Sequence, residues 1–209
     1  MSQGCLFNAS RYPAGFDYQP DFLTPSEETQ LLREISGLEF SRVEMRGVVA
    51  RRKTVHFGWT YGYYARRAEP GPPLPPFLLP YRDRIGQWAR LDPASFVEAL
   101  ITEYPSAAPI GWHRDAPAFG DVIAGISLES PARMKFRPYL LPSDVTQDRR
   151  RRETTHEVEL EPRSAYLIAG VARREYEHSI PPVASRRYSI TFRTLRDFES
   201  SSARATKGV

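Results

Sequence analysis

The period of the hydrophobic positions changes partway along the chain. In the front part, Thr24-Pro25-Ser26-Glu27 joins a capping threonine, a proline at the first helical position and a glutamate three residues after the cap; Leu31, Leu32 and Ile35 then share one face ahead of Gly37. That pattern predicts an amphipathic helix that starts at Thr24 and stops at Gly37. Tyr81, Ile85 and Trp88, spaced four and three apart, predict a second helix over residues 81–91. The Pro-rich stretch between them, residues 69–80 (EPGPPLPPFLLP), reads as a stiff extended connector. From Phe96 onward the pattern turns to short β-rich runs bounded by turn residues, at 96–104, 122–128, 134–138, 156–160, 165–169 and 188–194. Many short strands without helices between them predict an α+β chain, mostly β with flanking helices. Its core is then a sandwich or jelly roll and not a doubly wound parallel sheet.

Composition sharpens this picture. A chain of 209 residues is about one domain at roughly 100–200 residues each. Its 41% apolar and 12% aromatic content can fill a core. The expected organisation is a single domain over residues 1–198, with a helical and lid-like part to about residue 95, a strand-rich core over about 96–198, and a disordered tail at 199–209. The lone Cys5 cannot close an internal disulfide, and no apolar run approaches the ~20 residues that span a bilayer. The opening MSQGCLFNASRYPAGF lacks a basic segment followed by an apolar one, so no secretion signal is expected. A cytoplasmic monomer without membrane contact is the expectation.

Charge alone decides less. The net charge is +4, and 26 of the 29 basic residues are arginine. Forked guanidinium groups suit carboxylates and phosphates, but a composition bias explains the same skew. The run Gln147–Arg152 (QDRRRR) must be a solvated loop or hairpin tip.

The chemistry is carried by few residues. Of the four histidines, His156 falls at an ordinary half-exposed strand position, and His56, among Val55, Phe57, Trp59 and Tyr61, suits packing or substrate contact. His113 and Asp115 in Gly111-Trp112-His113-Arg114-Asp115 point to one side by strand alternation, and His178 stands at a second strand region. Two imidazoles and a carboxylate form the facial triad of non-haem Fe(II) oxygenases, with zinc open on ligand type alone. Beyond His178, Arg187, Ser189, Thr191 and Arg193 share one face of a strand. Such a row is costly to bury without an anion, and a dicarboxylate would serve; an outward-facing edge strand is the alternative.

In this order, the blocks Ile101–Leu128, Ser164–His178 and Arg187–Arg193 resemble the AlkB-type 2-oxoglutarate- and Fe(II)-dependent dioxygenases, and the resemblance runs from about Arg51 to Arg193. It implies a double-stranded β-helix (jelly roll). It also implies His113, Asp115 and His178 as iron ligands and Arg187 and Arg193 as the pair that binds the carboxylates of 2-oxoglutarate, with Tyr104, Thr102 and Ser189 as further co-substrate contacts. Thr102 stands where the family's Asn-x-Tyr motif has asparagine. The implied activity is oxidative dealkylation of damaged nucleobases in DNA, with RNA as the second nucleic-acid substrate, using O2 and releasing aldehyde, succinate and CO2.

Residues 51–67 (RRKTVHFGWTYGYYARR) resemble the family's substrate lid, in which Arg51, Arg52, His56, Trp59 and Tyr61, with Arg114, are the substrate candidates. Basic clusters that bracket aromatic rings suit a flipped or single-stranded nucleotide, and packing on the core explains the rings equally. Arg133, Lys135 and Arg137 could extend a basic surface or form a solvent face. Family members that demethylate 1-methyladenine or 3-methylcytosine often carry an acid two positions after the metal aspartate, where this chain has Pro117. That departure favours bulkier or differently charged lesions, or another substrate. The competing readings are the same chemistry on tRNA bases or protein methyl-lysine, and a non-catalytic jelly-roll module that binds nucleic acid.

Overall fold

The computed structural model describes residues 11–45, 48–62, 67–139 and 155–196. Among the described residues, twelve strands and three α-helices follow one another in the order β1 (Phe16–Gln19), α1 (Pro25–Ser36), β2 (Ser41–Met45), β3 (Val48–Gly62), β4 (Arg67–Pro70), α2 (Leu79–Ala89), β5 (Phe96–Tyr104), β6 (Ile110–His113), β7 (Phe119–Leu128), β8 (Ala132–Pro138), β9 (His156–Leu160), β10 (Ala165–Ile168), α3 (Gly170–Arg174), β11 (Tyr176–Ile180) and β12 (Arg187–Leu195).

The strands form two antiparallel sheets. The larger runs β1-β10-β7-β12-β5-β3-β2, with β4 paired to β3; the smaller runs β6-β11-β8-β9. A cavity lined from both sheets lies between them. This is the expected jelly roll with flanking helices. The expected division near residue 95 runs through one continuous sheet, because β3 pairs with β5 and β1 pairs with β10.

Alternation in the central strands separates core from site. On β12, Ile190 and Phe192 turn to a core shared with Leu31 and Ile35 of α1 and Ile85 of α2, while Arg187, Ser189, Thr191 and Arg193 turn to the cavity. A second core of Phe16, Met134, Phe136, Val158, Leu160 and Ile168 closes one end between the sheets. α1 begins as the sequence predicts: the Glu27 amide donates to Thr24 Oγ1 at 3.2 Å, and the Thr24 amide donates to the Glu27 carboxylate at 2.7 Å.

The sequence pattern misses six strands. β6 is only four residues long, and β11 carries Glu177, His178 and Ser179, so neither presents a readable apolar alternation. The sequence marks β3 only as part of a lid, yet it is a long strand of the main sheet. The Pro-rich stretch is not all connector: β4 holds its start, Pro76–Leu78 is a 3-10 turn, and α2 opens at Leu79 with Pro80 in its first turn. The arginine run 149–152 and the tail 199–209 lie outside the described residues. Among the described residues, no helix is long and apolar enough to cross a membrane.

Candidate metal and anion centre

Register lays the inward-facing side chains of β12, β5 and β3 out as four rows. Arg187 and Tyr104 share the first, with Arg52 one residue beyond the last β3–β5 pair; Ser189, Thr102 and Thr54 the second; Thr191, Leu100 and His56 the third; Arg193, Glu98 and Gly58 the fourth. All of these except Gly58 line a cavity of about 530 Å³, which is within the range of small-molecule sites. The smaller sheet supplies the opposite wall, where β6 and β11 place His113 directly across from His178.

His113, Asp115 and His178 offer ligand atoms that all lie within 4.8 Å of one another, the one such cluster among the described residues. His113 Nδ1 donates to the carbonyl of Gly111 at 2.9 Å, which leaves Nε2 as the ligating nitrogen. His178 Nε2 stands 3.7 Å from Asp115 Oδ2. Asp115 lies just beyond the end of β6, so its aim depends on how the following loop is held. Arg173 of α3 does this: it is buried and donates to the carbonyls of Asp115, Ala116, Phe119 and Gly120.

The environment sets Asp115 and His178 in their ligating forms. Burial, and then the neighbouring charge of His113, push His178 down to about 3, so it is a neutral imidazole at ordinary pH. Burial opposes the charge on Asp115, but Arg193, His178, His113 and Arg173 outweigh it and hold the carboxyl well below the usual carboxylate range. A deprotonated Asp115 carboxylate and a neutral His178 imidazole, with His113 beside them, are the donor types that a divalent first-row cation takes.

The two arginines of β12 differ. Arg193 has a partner at each nitrogen: Nε and Nη2 meet Asp115 Oδ1 at 2.8 and 2.7 Å, and Nη1 donates to Glu98 Oε2 at 2.8 Å. Arg187 is 0% exposed, donates from Nη2 to Ser127 Oγ at 2.8 Å and lies over the Tyr104 ring, yet its Nε and Nη1 have no partner. Burial pushes Arg187 down, with the hydroxyls of Tyr104 and Tyr166 acting against it. Two orphaned donors on a buried cation at the foot of a cavity fit an anion. The expectation that both arginines hold the co-substrate is therefore divided: free donors stand on Arg187, while Arg193 is already paired with carboxylates.

Placement of the remaining predicted residues follows strand parity. Tyr104, Thr102 and Ser189 line the cavity, as do Arg52, His56 and Arg114. Arg51 is exposed and, like Trp59, is absent from the cavity wall, because odd positions of β3 turn away toward Val55 and Phe57 on the helix side. The side chain of Tyr61 lies outside the described residues. His156 donates to the Arg11 carbonyl and packs on Tyr176, apart from the centre. Arg133, Lys135 and Arg137 pair across strands with Glu157, Glu159 and Glu177, so they form a neutralised ladder and not a bare basic face. Arg173 and Glu98 were not singled out in the sequence, although Glu98 shares the parity of Thr102 and Tyr104.

A model of the 2OG-Fe(II) oxygenase superfamily matches residues 15–193. The Alkylated DNA repair protein ALKBH8 homolog of Arabidopsis thaliana is 29% identical over 208 residues, which takes in 87% of this chain and 58% of that protein. The chain therefore spans less than two thirds of that relative's length. Among solved structures, that of OsALKBH1 superposes with a TM-score of 0.62 at 17% identity, covering 86% of this chain and 96% of the other. A Pseudomonas putida prolyl-4-hydroxylase superposes at 0.58 and 16%, covering 87% and 93%. At these identities the two structures speak to the fold.

Proposed function

Because this chain belongs to the 2OG-Fe(II) oxygenase superfamily, as an AlkB-like dioxygenase that uses Fe(II) and 2-oxoglutarate, we propose that it oxidatively dealkylates damaged nucleobases, in DNA before RNA. The observation that carries the substrate is the cavity wall: Arg52, His56 and Arg114 line the same cavity as the His113, Asp115 and His178 cluster. The Arabidopsis relative, named as an alkylated-DNA repair protein, supports the same reading.

In this reading His113, Asp115 and His178 hold the iron, and Arg187 holds the far carboxylate of 2-oxoglutarate through Nε and Nη1, backed by Tyr104. Thr102 and Ser189 border the co-substrate in the second row. Bound together, iron and co-substrate supply the oxidation by O2 of a C–H bond, with conversion of 2-oxoglutarate to succinate and CO2. The chain's own work is placement. His113 is oriented by the Gly111 carbonyl, Asp115 by Arg193 and the Arg173-clamped loop, and the alkyl carbon on a base nitrogen is held at the cavity mouth by Arg52, His56 and Arg114. Once that carbon carries a hydroxyl, its C–N bond breaks with return of the proton to the base, releasing aldehyde and the unmodified base.

The test is aldehyde release with Fe(II) and 2-oxoglutarate across methylated and etheno-modified single- and double-stranded DNA, modified RNA and methylated peptide. Release from alkylated DNA above the others supports the reading. Release only from RNA, or only from peptide, replaces the substrate and keeps the chemistry.

A further inference from the structure

Glu98 is 1% exposed and carries a carboxylate into the cavity wall. A buried charge there needs strong partners, and it has two. Arg193 Nη1 donates to Oε2 at 2.8 Å, and His56 Nδ1 lies 3.2 Å from Oε1. Its own row on β3 offers no side chain, since Gly58 stands there at φ +76° and a Cβ would lie 1.9 Å from the Val97 carbonyl oxygen. His56, two residues earlier on the same face, reaches across instead. Nδ1 also lies 3.4 Å from the Thr60 hydroxyl, which can either donate or accept, whereas a carboxylate can only accept; a His56 ring with one N–H therefore carries it on Nδ1. Nε2, on the opposite edge of the ring, then bears a lone pair.

The same carboxylate acts on the metal ligand. Arg193 sits between two carboxylates, so its charge is divided between Glu98 and Asp115, and Asp115 keeps more of its own for a cation. Pro117, two residues beyond Asp115, lines the cavity without a hydrogen-bonding side chain, which leaves polar recognition on that side to other residues.

We propose that Glu98 is the positioning residue of this centre: one oxygen keeps Arg193 on Asp115, and the other fixes His56 as its Nδ1–H tautomer, so that Nε2 accepts a hydrogen bond from an N–H group of the bound base. The base-reading half rests on the proposed substrate class; the tautomer and metal halves do not.

The experiment uses the full chain with ¹⁵N-labelled histidine. Long-range ¹H–¹⁵N spectra at pH 8, without metal, report which nitrogen of His56 is protonated. The expected result is a protonated Nδ1 and a bare Nε2; the reverse overturns the proposal without recourse to any variant. In Glu98→Gln the amide NH2 faces Nδ1, so the tautomer reverses, and Mn(II) binding weakens about tenfold, at the lower end of the loss typical for residues behind metal ligands. If both stay as in the wild type, Glu98 only fills space. With His56→Ala, KM for an alkylated oligonucleotide rises about tenfold, the loss of one hydrogen bond, while KM for 2-oxoglutarate does not move; equal shifts, or none, overturn the base-reading half. If alkylated nucleic acid is not the substrate, the wild type itself shows it by releasing no aldehyde, apart from anything in the spectra.

Discussion

Arg193 meets Asp115 at one oxygen only: Nε and Nη2 converge on Oδ1 at 2.8 and 2.7 Å, while Oδ2 faces His178 Nε2 at 3.7 Å. The carboxylate is thereby split into a held oxygen and a ligating one. Arg193→Ala would leave Asp115 and Glu98 buried without their cation. The metal-free protein is expected to lose about 3–5 kcal/mol, the usual cost of breaking a buried pair, measured by urea unfolding. Mn(II) should restore part of it by binding only the folded state. A loss below about 1 kcal/mol would show that the pair is not held as described.

Arg187 predicts the opposite sign. Its Nε and Nη1 are buried without partners, so the apoprotein bears a cost that only an anion removes. Arg187→Met should raise, or at least not lower, the melting temperature of the apoprotein. It should weaken 2-oxoglutarate binding about 10- to 100-fold, equivalent to about 1.5–3 kcal/mol for charged hydrogen bonds. Calorimetry on the Mn(II)-loaded protein checks it, and Mn(II) affinity should not change.

Arg173 holds the loop behind Asp115 through four backbone carbonyls. Lysine keeps the charge but not the planar fork that reaches them. Arg173→Lys should therefore weaken Mn(II) binding about tenfold and speed amide exchange at Ala116, Ala118 and Phe119. Unchanged exchange would mean the loop is held by other contacts.

Acid should unfold the metal-free protein early. Folded His178 takes up its proton near 3, whereas an unfolded imidazole does so at about 6.5. Between those values the unfolded chain binds more protons, so stability is full above about 6.5 and is lost as pH falls toward 3. Asp115, also lowered, adds a loss further into acid. Urea midpoints from pH 7.5 to 4 should fall in the wild type and fall less steeply in His178→Asn; parallel curves would contradict the burial of His178 as a neutral group.

Much of the site could be read from spacing. Arg187, Ser189, Thr191 and Arg193 declare their shared face because period two is visible in any strand, and His113 with Asp115 needs only the same rule. That rule, applied to β3, separates Arg52 and His56, which line the cavity, from Arg51 and Trp59, which do not. Glu98 left a faint signal, a charge on the inward parity of an otherwise apolar run. Arg173 left none: its partners are backbone carbonyls, which carry no side-chain pattern, and it is one of 26 arginines. The pairing of Arg193 with two carboxylates was invisible for another reason: its partners stand 95 and 78 positions away. Short strands such as β6 escaped because four residues hold too little alternation to stand out.

The central claim is that His113, Asp115 and His178 form one metal centre that oxidises substrate at the expense of 2-oxoglutarate. Its most direct test is succinate formation with Fe(II), 2-oxoglutarate and alkylated single-stranded DNA, comparing the wild type with His178→Ala at matched folding by circular dichroism. The account predicts Fe(II)-dependent succinate and aldehyde in the wild type and neither in the variant. Turnover that survives the loss of His178 would contradict it.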